Sequence, residues 1–206
     1  MIQAFQNGED IHASTAANVF GIKLEKVSKE QRSHAKIVNF GIIYGVSAFG
    51  LSNQTNLTRA ESKVIIDNYY ESYPSLKEFM SSQINFAREN GFVKTILGRK
   101  RFLNDINSRN GMLRSSAERN AINTPVQGSA ADIIKLSMIN IFNEFRKKLM
   151  KTKLILQVHD ELVFDAPADE VDQAKNIIIQ EMENAYKLEV PLTVDIGVGK
   201  NWLEAH

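Results

Sequence analysis

The stretch that most constrains this chain is Leu154 to Phe164: Leu-Ile-Leu-Gln-Val, then His159-Asp160-Glu161, then Leu-Val-Phe. Two apolar runs rich in strand formers, joined by three polar residues, predict a buried β-hairpin with a tight polar tip over 154–164. Adjacent carboxylates held between segments that favour burial are costly unless something positive meets them, and a hard divalent cation is the usual partner. Asp is also a favoured turn residue on conformational grounds alone. The tip by itself therefore leaves metal binding and plain turn chemistry both open.

A hairpin needs cover, and the last quarter of the chain offers it. Ala168 to Tyr186 reads as an amphipathic helix with Val171, Ala174, Ile177, Ile178 and Met182 inward, and Leu192, Val194, Ile196 and Val198 alternate as a strand after Pro191. A small antiparallel sheet covered by helices follows, which is an α+β fold.

Near the amino terminus, Asp10 caps a helix over Ile11 to Phe20 that Gly21 closes. Asp10 and His12 read there as a cap and a helix-surface histidine rather than as metal ligands. Ser28 and Gln31 make a capping box for a second helix that runs to about Tyr44, where Gly45 stops it. Ala35, Val38 and Ile42 share its apolar side, while Arg32, Lys36, Phe40 and Tyr44 follow at four-residue steps on the opposite one. Two cations and then two aromatics offer donors to phosphate oxygens and a stacking platform for a base or sugar. A solvated helix face with an incidental Phe gives the same spacing.

The middle of the chain is mostly helical. Thr58 to Tyr73 carries Ala60, Val64, Ile65 and Tyr69 at helical spacing, Pro74 marks a break, and Leu76 to Asn90 repeats the pattern up to Gly91. Gly91 to Phe102 has the look of a hairpin and packs Lys94, Arg99, Lys100 and Arg101 together, a counter-surface for backbone phosphates or a solvated turn. Ser115 to Ile122 reads as helix, Pro125 interrupts it, and Ala130 to Lys148 continues with Ile133, Ile134, Leu136, Ile139 and Phe142 as core. Asp132 is read as a solvated or paired helix residue, not a metal ligand.

Composition excludes several classes. A net charge of +1 means that any basic surface is local, and the absence of cysteine excludes a disulfide framework or a thiolate zinc site. No apolar run approaches the length of a membrane span and the first residues lack the regions of a signal peptide, so a soluble, cytoplasmic protein is expected.

The string Arg32-Ser-His-Ala-Lys36-Ile-Val-Asn39-Phe40-Gly41-Ile-Ile-Tyr44-Gly45 resembles the nucleotide-binding helix of family A DNA polymerases, and Gln157-Val-His159-Asp160-Glu161 resembles the carboxylate motif of their palm. The likeness runs from the first residues to Gly199-Lys-Asn-Trp202 and is greatest to the bacterial members. It implies a helical fingers region over 1–110 and a carboxy-terminal palm portion over 111–206 that carries the catalytic hairpin. It implies deoxynucleotidyl transfer to a primer 3′-hydroxyl by a two-metal mechanism, in DNA replication or repair, with primer-template DNA and dNTPs as partners and Mg²⁺ as cofactor.

By the same resemblance Asp160 is the metal ligand and Glu161 an auxiliary carboxylate. Arg32 and Lys36 neutralise the incoming triphosphate, with Lys36 also in a catalytic role toward the leaving pyrophosphate. Phe40 and Tyr44 hold the sugar and guard the template position, and the helix closes over a correct pair with Gly41 and Gly45 easing the motion. Phe40, where Tyr would be the alternative, implies discrimination against nucleotides without a 3′-hydroxyl. Arg119, Asn123, Gln127 and His159 match contacts to DNA near the primer terminus. Amide donors suit that place, because the minor groove shows nearly the same acceptors for every correct pair; ordinary helix-break chemistry accounts for the same Asn and Gln without DNA.

One departure stands out. The family's other metal-binding aspartate lies in a strand of the type Asp-Tyr-Ser-Gln-Ile-Glu-Leu-Arg, and no such string occurs in these 206 residues. The chain is therefore expected to be the fingers and carboxy-terminal palm of a polymerase whose thumb and remaining palm lie elsewhere, with an incomplete metal site and very weak activity or none. A non-catalytic DNA-binding module is the competing reading, and a metal-dependent phosphohydrolase a third.

Overall fold

The computed structural model describes residues 1–205. The chain divides into two compact units, Met1–Ser129 and the remainder from Ala130. In the first, α1 (Ile2–Gln6), α2 (Ile11–Phe20) and a 3-10 turn (Leu24–Lys26) precede α3 (Lys29–Ile43), α4 (Ala48–Ser52), α5 (Arg59–Ser72) and α6 (Pro74–Asn90). A two-stranded antiparallel sheet, β1 (Phe92–Lys94) and β2 (Lys100–Phe102), leads into the long α7 (Gly111–Lys147). The second unit holds the end of α7, then β3 (Lys153–Val158), β4 (Glu161–Asp165), α8 (Val171–Glu183) and α9 (Trp202–Ala205). The fingers and palm ranges expected by resemblance met at 110/111, whereas the compact units divide inside α7.

Local chemistry sets the helix ends as expected. The Asp10 carboxylate accepts from the backbone of His12 and Ala13, and both halves of the Ser28–Gln31 capping box are made. The far end of α3 is a Schellman turn: Val46 N donates to Gly41 O at 2.8 Å, Gly45 N donates to Ile42 O at 2.9 Å, and Gly45 sits at φ +71°. A Cβ on Gly41 would lie 2.8 Å from Val46 Cγ1, so this glycine admits the chain as it folds back. Ala35, Val38 and Ile42 are buried, the last two in one core with Val19, Leu51, Ile65, Tyr69 and Met80. Each fully buried large side chain contributes roughly 1.5–3 kcal/mol, which fixes the roll of α3 and leaves its other side outward.

Several expectations are corrected. On α5 the inward positions are Ser62, Ile65 and Tyr69; Ala60 and Val64 are exposed. Pro74 opens α6 at its first turn, where its missing N–H costs nothing. Pro125 does not interrupt the helix: α7 is continuous through it. Ala117 and Ala121 before it are buried in the first unit, and Ile141 and Phe145 after it are buried in the second. That packing offsets a proline cost of about 3 kcal/mol. Ile139 and Phe142, expected in the core, are exposed; Asp132, read as solvated or paired, is buried and has a partner, which leaves the paired alternative.

The 154–164 hairpin forms, with Leu154 opposite Phe164 and Val158 opposite Glu161. It is not buried: Leu162 and Phe164 pack against the Ile141, Phe145, Ile177 and Ile178 core, while Ile155 is 61% and Leu156 46% exposed. Among the described residues the sheet has two strands only. Residues 192–198 make no ladder, although Leu192, Val194 and Ile196 alternate with exposed neighbours as a half-buried strand would, and Ile196 joins the core. The side-chain alternation of a strand is present without its backbone pairing.

Candidate functional site

The outward side of α3 is the best-formed candidate. Phe40 is 52% and Tyr44 50% exposed, and Lys36 is exposed one turn before Phe40. Together with Ser33, Gln54 and Arg119 they line a groove of about 600 Å³ within the first unit. No ion pair of Lys36 occurs among the described residues. Its ammonium is thus available to an anion, at the same face as two stacking rings.

Arg32 differs. Its Nε donates to Asp10 Oδ2 at 2.6 Å, and that same aspartate caps α2. The Arg32 guanidinium, first, and the capping amides hold the Asp10 carboxyl below its usual pKa against a smaller opposing effect of burial. Of the two cations expected to meet a triphosphate, one is unengaged and the other is already paired.

The helix-break residues lie around the carboxyl end of α3. Gln127 Nε2 donates to the Tyr44 hydroxyl at 2.7 Å. A Cβ on Gly45 would stand 3.0 Å from Arg119 Cγ, so Arg119 packs over the Schellman turn while its Nη1 donates to Ser115 Oγ. Asn123 Oδ1 is buried and has no donor among the described residues, an orphan acceptor of the kind a ligand or water satisfies. Gln127 thus meets Tyr44, and Arg119 meets the adjacent Gly45.

The basic hairpin is largely committed to the fold. Arg99 Nη2 donates to Gly128 O and Arg101 Nη1 to Thr124 Oγ1, both on α7, and Ile96 N donates to Ser129 Oγ. A Cβ on Gly128 would stand 2.6 Å from Thr95 Cγ2, so glycine permits this docking. Lys94 and Lys100 lie over the Phe92 ring, 5.6 and 4.4 Å from its centroid. Four cations that the sequence offered to phosphates have intramolecular partners.

In the second unit the hairpin loop is His159-Asp160, with Glu161 the first residue of β4 rather than part of the tip. His159 adopts φ +54°, the region glycine favours at the first position of a two-residue hairpin loop. Gln157 Nε2 donates to its carbonyl at 3.1 Å. A non-glycine residue held in this region stores backbone strain. Magnesium is commonly held by one or two carboxylates with substrate phosphates completing its shell, and Asp160 and Glu161 are two such residues adjacent in sequence. No group of three His, Cys, Asp or Glu side chains able to hold an ion occurs among the described residues.

The sequence reading missed the support behind α3. Asn39 is 8% exposed and its Nδ2 lies 3.1 Å from both His12 Nδ1 and Thr15 Oγ1. Thr15 in turn meets Tyr73, whose hydroxyl accepts from Asn18 Nδ2 at 3.2 Å. His12 is a half-buried partner of Asn39 and Phe40, not a plain surface residue. Only an apolar helix face with one Asn in it hinted at this.

Comparison with known proteins gives a consistent picture. The profile of the family described as DNA polymerase family A matches residues 1–204. The DNA polymerase I of Caldicellulosiruptor bescii is 50% identical over 99% of this chain, which covers 24% of that protein. That of Bacillus subtilis is 44% identical over 100% of the chain and 23% of its own length. A solved structure described as the POL domain of Pol1 from M. smegmatis in complex with DNA primer-template and dNTP superposes with a TM-score of 0.93 at 38% identity, over 100% of this chain and 36% of that one. The chain thus spans about a quarter of the length of these curated relatives. No helix among the described residues is long and apolar enough to cross a membrane.

Proposed function

Since the chain belongs to the family A DNA polymerases, we propose that it is the nucleotide-binding and carboxylate-bearing portion of a template-directed DNA polymerase, which transfers deoxynucleotides to a primer 3′-hydroxyl. The observation that carries this reading is the groove on α3, where the unpaired Lys36 and the exposed rings of Phe40 and Tyr44 share one face. In the reaction the 3′-oxygen bonds to the α-phosphorus, the bond to the bridging oxygen breaks, and pyrophosphate departs. Lys36 neutralises the triphosphate and supplies a proton to the leaving group. Phe40 holds the sugar, and Tyr44, fixed by Gln127, guards the position of the templating base. Arg119, Asn123, Gln127 and His159 contact primer-template DNA. Arg32 serves the triphosphate only by exchanging Asp10 for it.

Asp160 would hold the metal ion, with Glu161 beside it. A bound Mg²⁺ supplies Lewis-acid neutralisation of the reacting phosphate. With these two carboxylates and no group of three such ligands among the described residues, the chain contributes part of a two-ion set, so alone it binds nucleotide and DNA and extends primers very weakly or not at all. The setting is the cytoplasm, in replication or repair.

The test is DNA binding by fluorescence anisotropy with and without the dNTP complementary to the template base. The correct dNTP tightens binding to wild type, and Lys36→Ala loses that increment while retaining affinity for DNA. Identical affinities with and without the nucleotide in wild type would contradict the reading.

A further inference from the structure

We propose that Asn39 is a positioning residue, which holds His12 as the neutral tautomer protonated on Nε2 and so fixes the ring that packs against Phe40. The inference builds on the nucleotide-binding role given to Phe40. Asn39 lies on the buried side of α3, next in sequence to Phe40, and its amide joins α3 to α2. Its Nδ2 is 3.1 Å from His12 Nδ1 and its Oδ1 is 3.3 Å from Thr15 Oγ1.

Hydroxyls on α2 and before α6 complete the partners of the amide, with Thr15 Oγ1 within reach of both Asn39 Oδ1 and Nδ2. Asn18 Nδ2 donates to the Tyr73 hydroxyl, which lies 3.5 Å from Thr15 Oγ1. With the tyrosine proton directed to Thr15, the Thr15 proton goes to Asn39 Oδ1, and both protons of Asn39 Nδ2 remain to be donated. One of them reaches His12 Nδ1, which must then be an acceptor, so the ring proton is on Nε2. The His12 ring stands 5.8 Å from that of Phe40, tilted by 46°. Protonation of His12 Nδ1 would set its N–H against the Asn39 amide N–H.

Burial and the nearby cations act in the same sense, against Asp10. Burial, first, lowers the His12 pKa; Asp10 opposes this, and Arg32 and Lys36 on α3 add to it. The ring that faces Phe40 is neutral, and its orientation is imposed from behind by a helix-to-helix amide.

The ring ¹⁵N shifts of His12 in the wild-type chain test this without any substitution. The expected result is a single Nε2–H tautomer at neutral pH with a titration midpoint below the ordinary imidazole value. In Asn39→Asp the carboxylate accepts instead, so the ring moves to the Nδ1–H form and its midpoint rises by more than about one pH unit. Asn39→Leu, checked for native circular dichroism, loses about fivefold in dNTP affinity, the worth of one buried hydrogen bond. A wild-type ring in the Nδ1–H form, or one indifferent to Asn39→Asp in a folded chain, would overturn the assignment. The Nε2–H tautomer in a wild-type chain that binds no dNTP would contradict the proposed function and leave the role of Asn39 toward His12 supported.

Discussion

Lys36 and Arg32 sit one turn apart on α3 and are not equivalent, because Asp10 holds only the second. Lys36→Ala should therefore weaken dNTP binding at least about tenfold, the scale of one hydrogen bond to a charged group, as read by isothermal titration. Asp10 adds a pH dependence. Its folded-state pKa is depressed, so its contribution is complete above the unfolded value and is lost as pH falls through the folded one. Exposure of both partners keeps that contribution small. Wild type should lose an acid-sensitive increment of stability below the ordinary carboxylate range that Asp10→Asn never has, a difference that pH-dependent urea unfolding would detect. At the hairpin tip, His159→Gly should relieve left-handed strain and stabilise the second unit by about 1 kcal/mol, while impairing any contact that the imidazole makes. The Arg32, Lys36, Phe40 and Tyr44 face was legible because it is local and periodic. The Asn39–His12 contact was not, since it joins residues 27 positions apart and neither side chain announces the other.

Among the elements, helix ends and glycine stops were readable from caps, and two predictions of chain path failed for opposite reasons. Pro125 was read as a break, yet its neighbours on both sides are anchored by packing that outweighs a local preference. Residues 192–198 were read as a strand, yet side-chain alternation specifies only which face is covered and not that a partner backbone lies alongside. Pro125→Ala should restore a backbone donor within α7 and raise stability by about 2 kcal/mol, after the entropy returned to the unfolded chain is counted; thermal unfolding would report it. The turn into β3 depends on Glu170, whose carboxylate accepts from the backbone of Lys151 and Thr152 and from the Thr152 hydroxyl. These donors, the hydroxyl first, lower its pKa. Glu170→Ala should lower the unfolding midpoint at neutral pH and converge with wild type in acid.

For the whole molecule, the chain spans about a quarter of its curated relatives and exposes Ile139, Phe142, Ile155 and Leu156 from elements that the sequence placed in a core. Apolar pattern reports which face of a segment suits burial, and not that the chain itself covers that face. Among the described residues Asp160 and Glu161 do not belong to a group of three His, Cys, Asp or Glu side chains able to hold an ion. Primer extension with Mg²⁺ should accordingly be very weak or nil, and robust synthesis would refute that. The central claim, that the outward side of α3 binds a deoxynucleoside triphosphate, is tested most directly by photo-crosslinking an azido-dATP to the chain and sequencing the labelled peptide. Label within residues 29–45, reduced in Lys36→Ala and competed by unmodified dATP, is the predicted result. Specific, competable label confined to peptides outside the groove that α3 lines would contradict it.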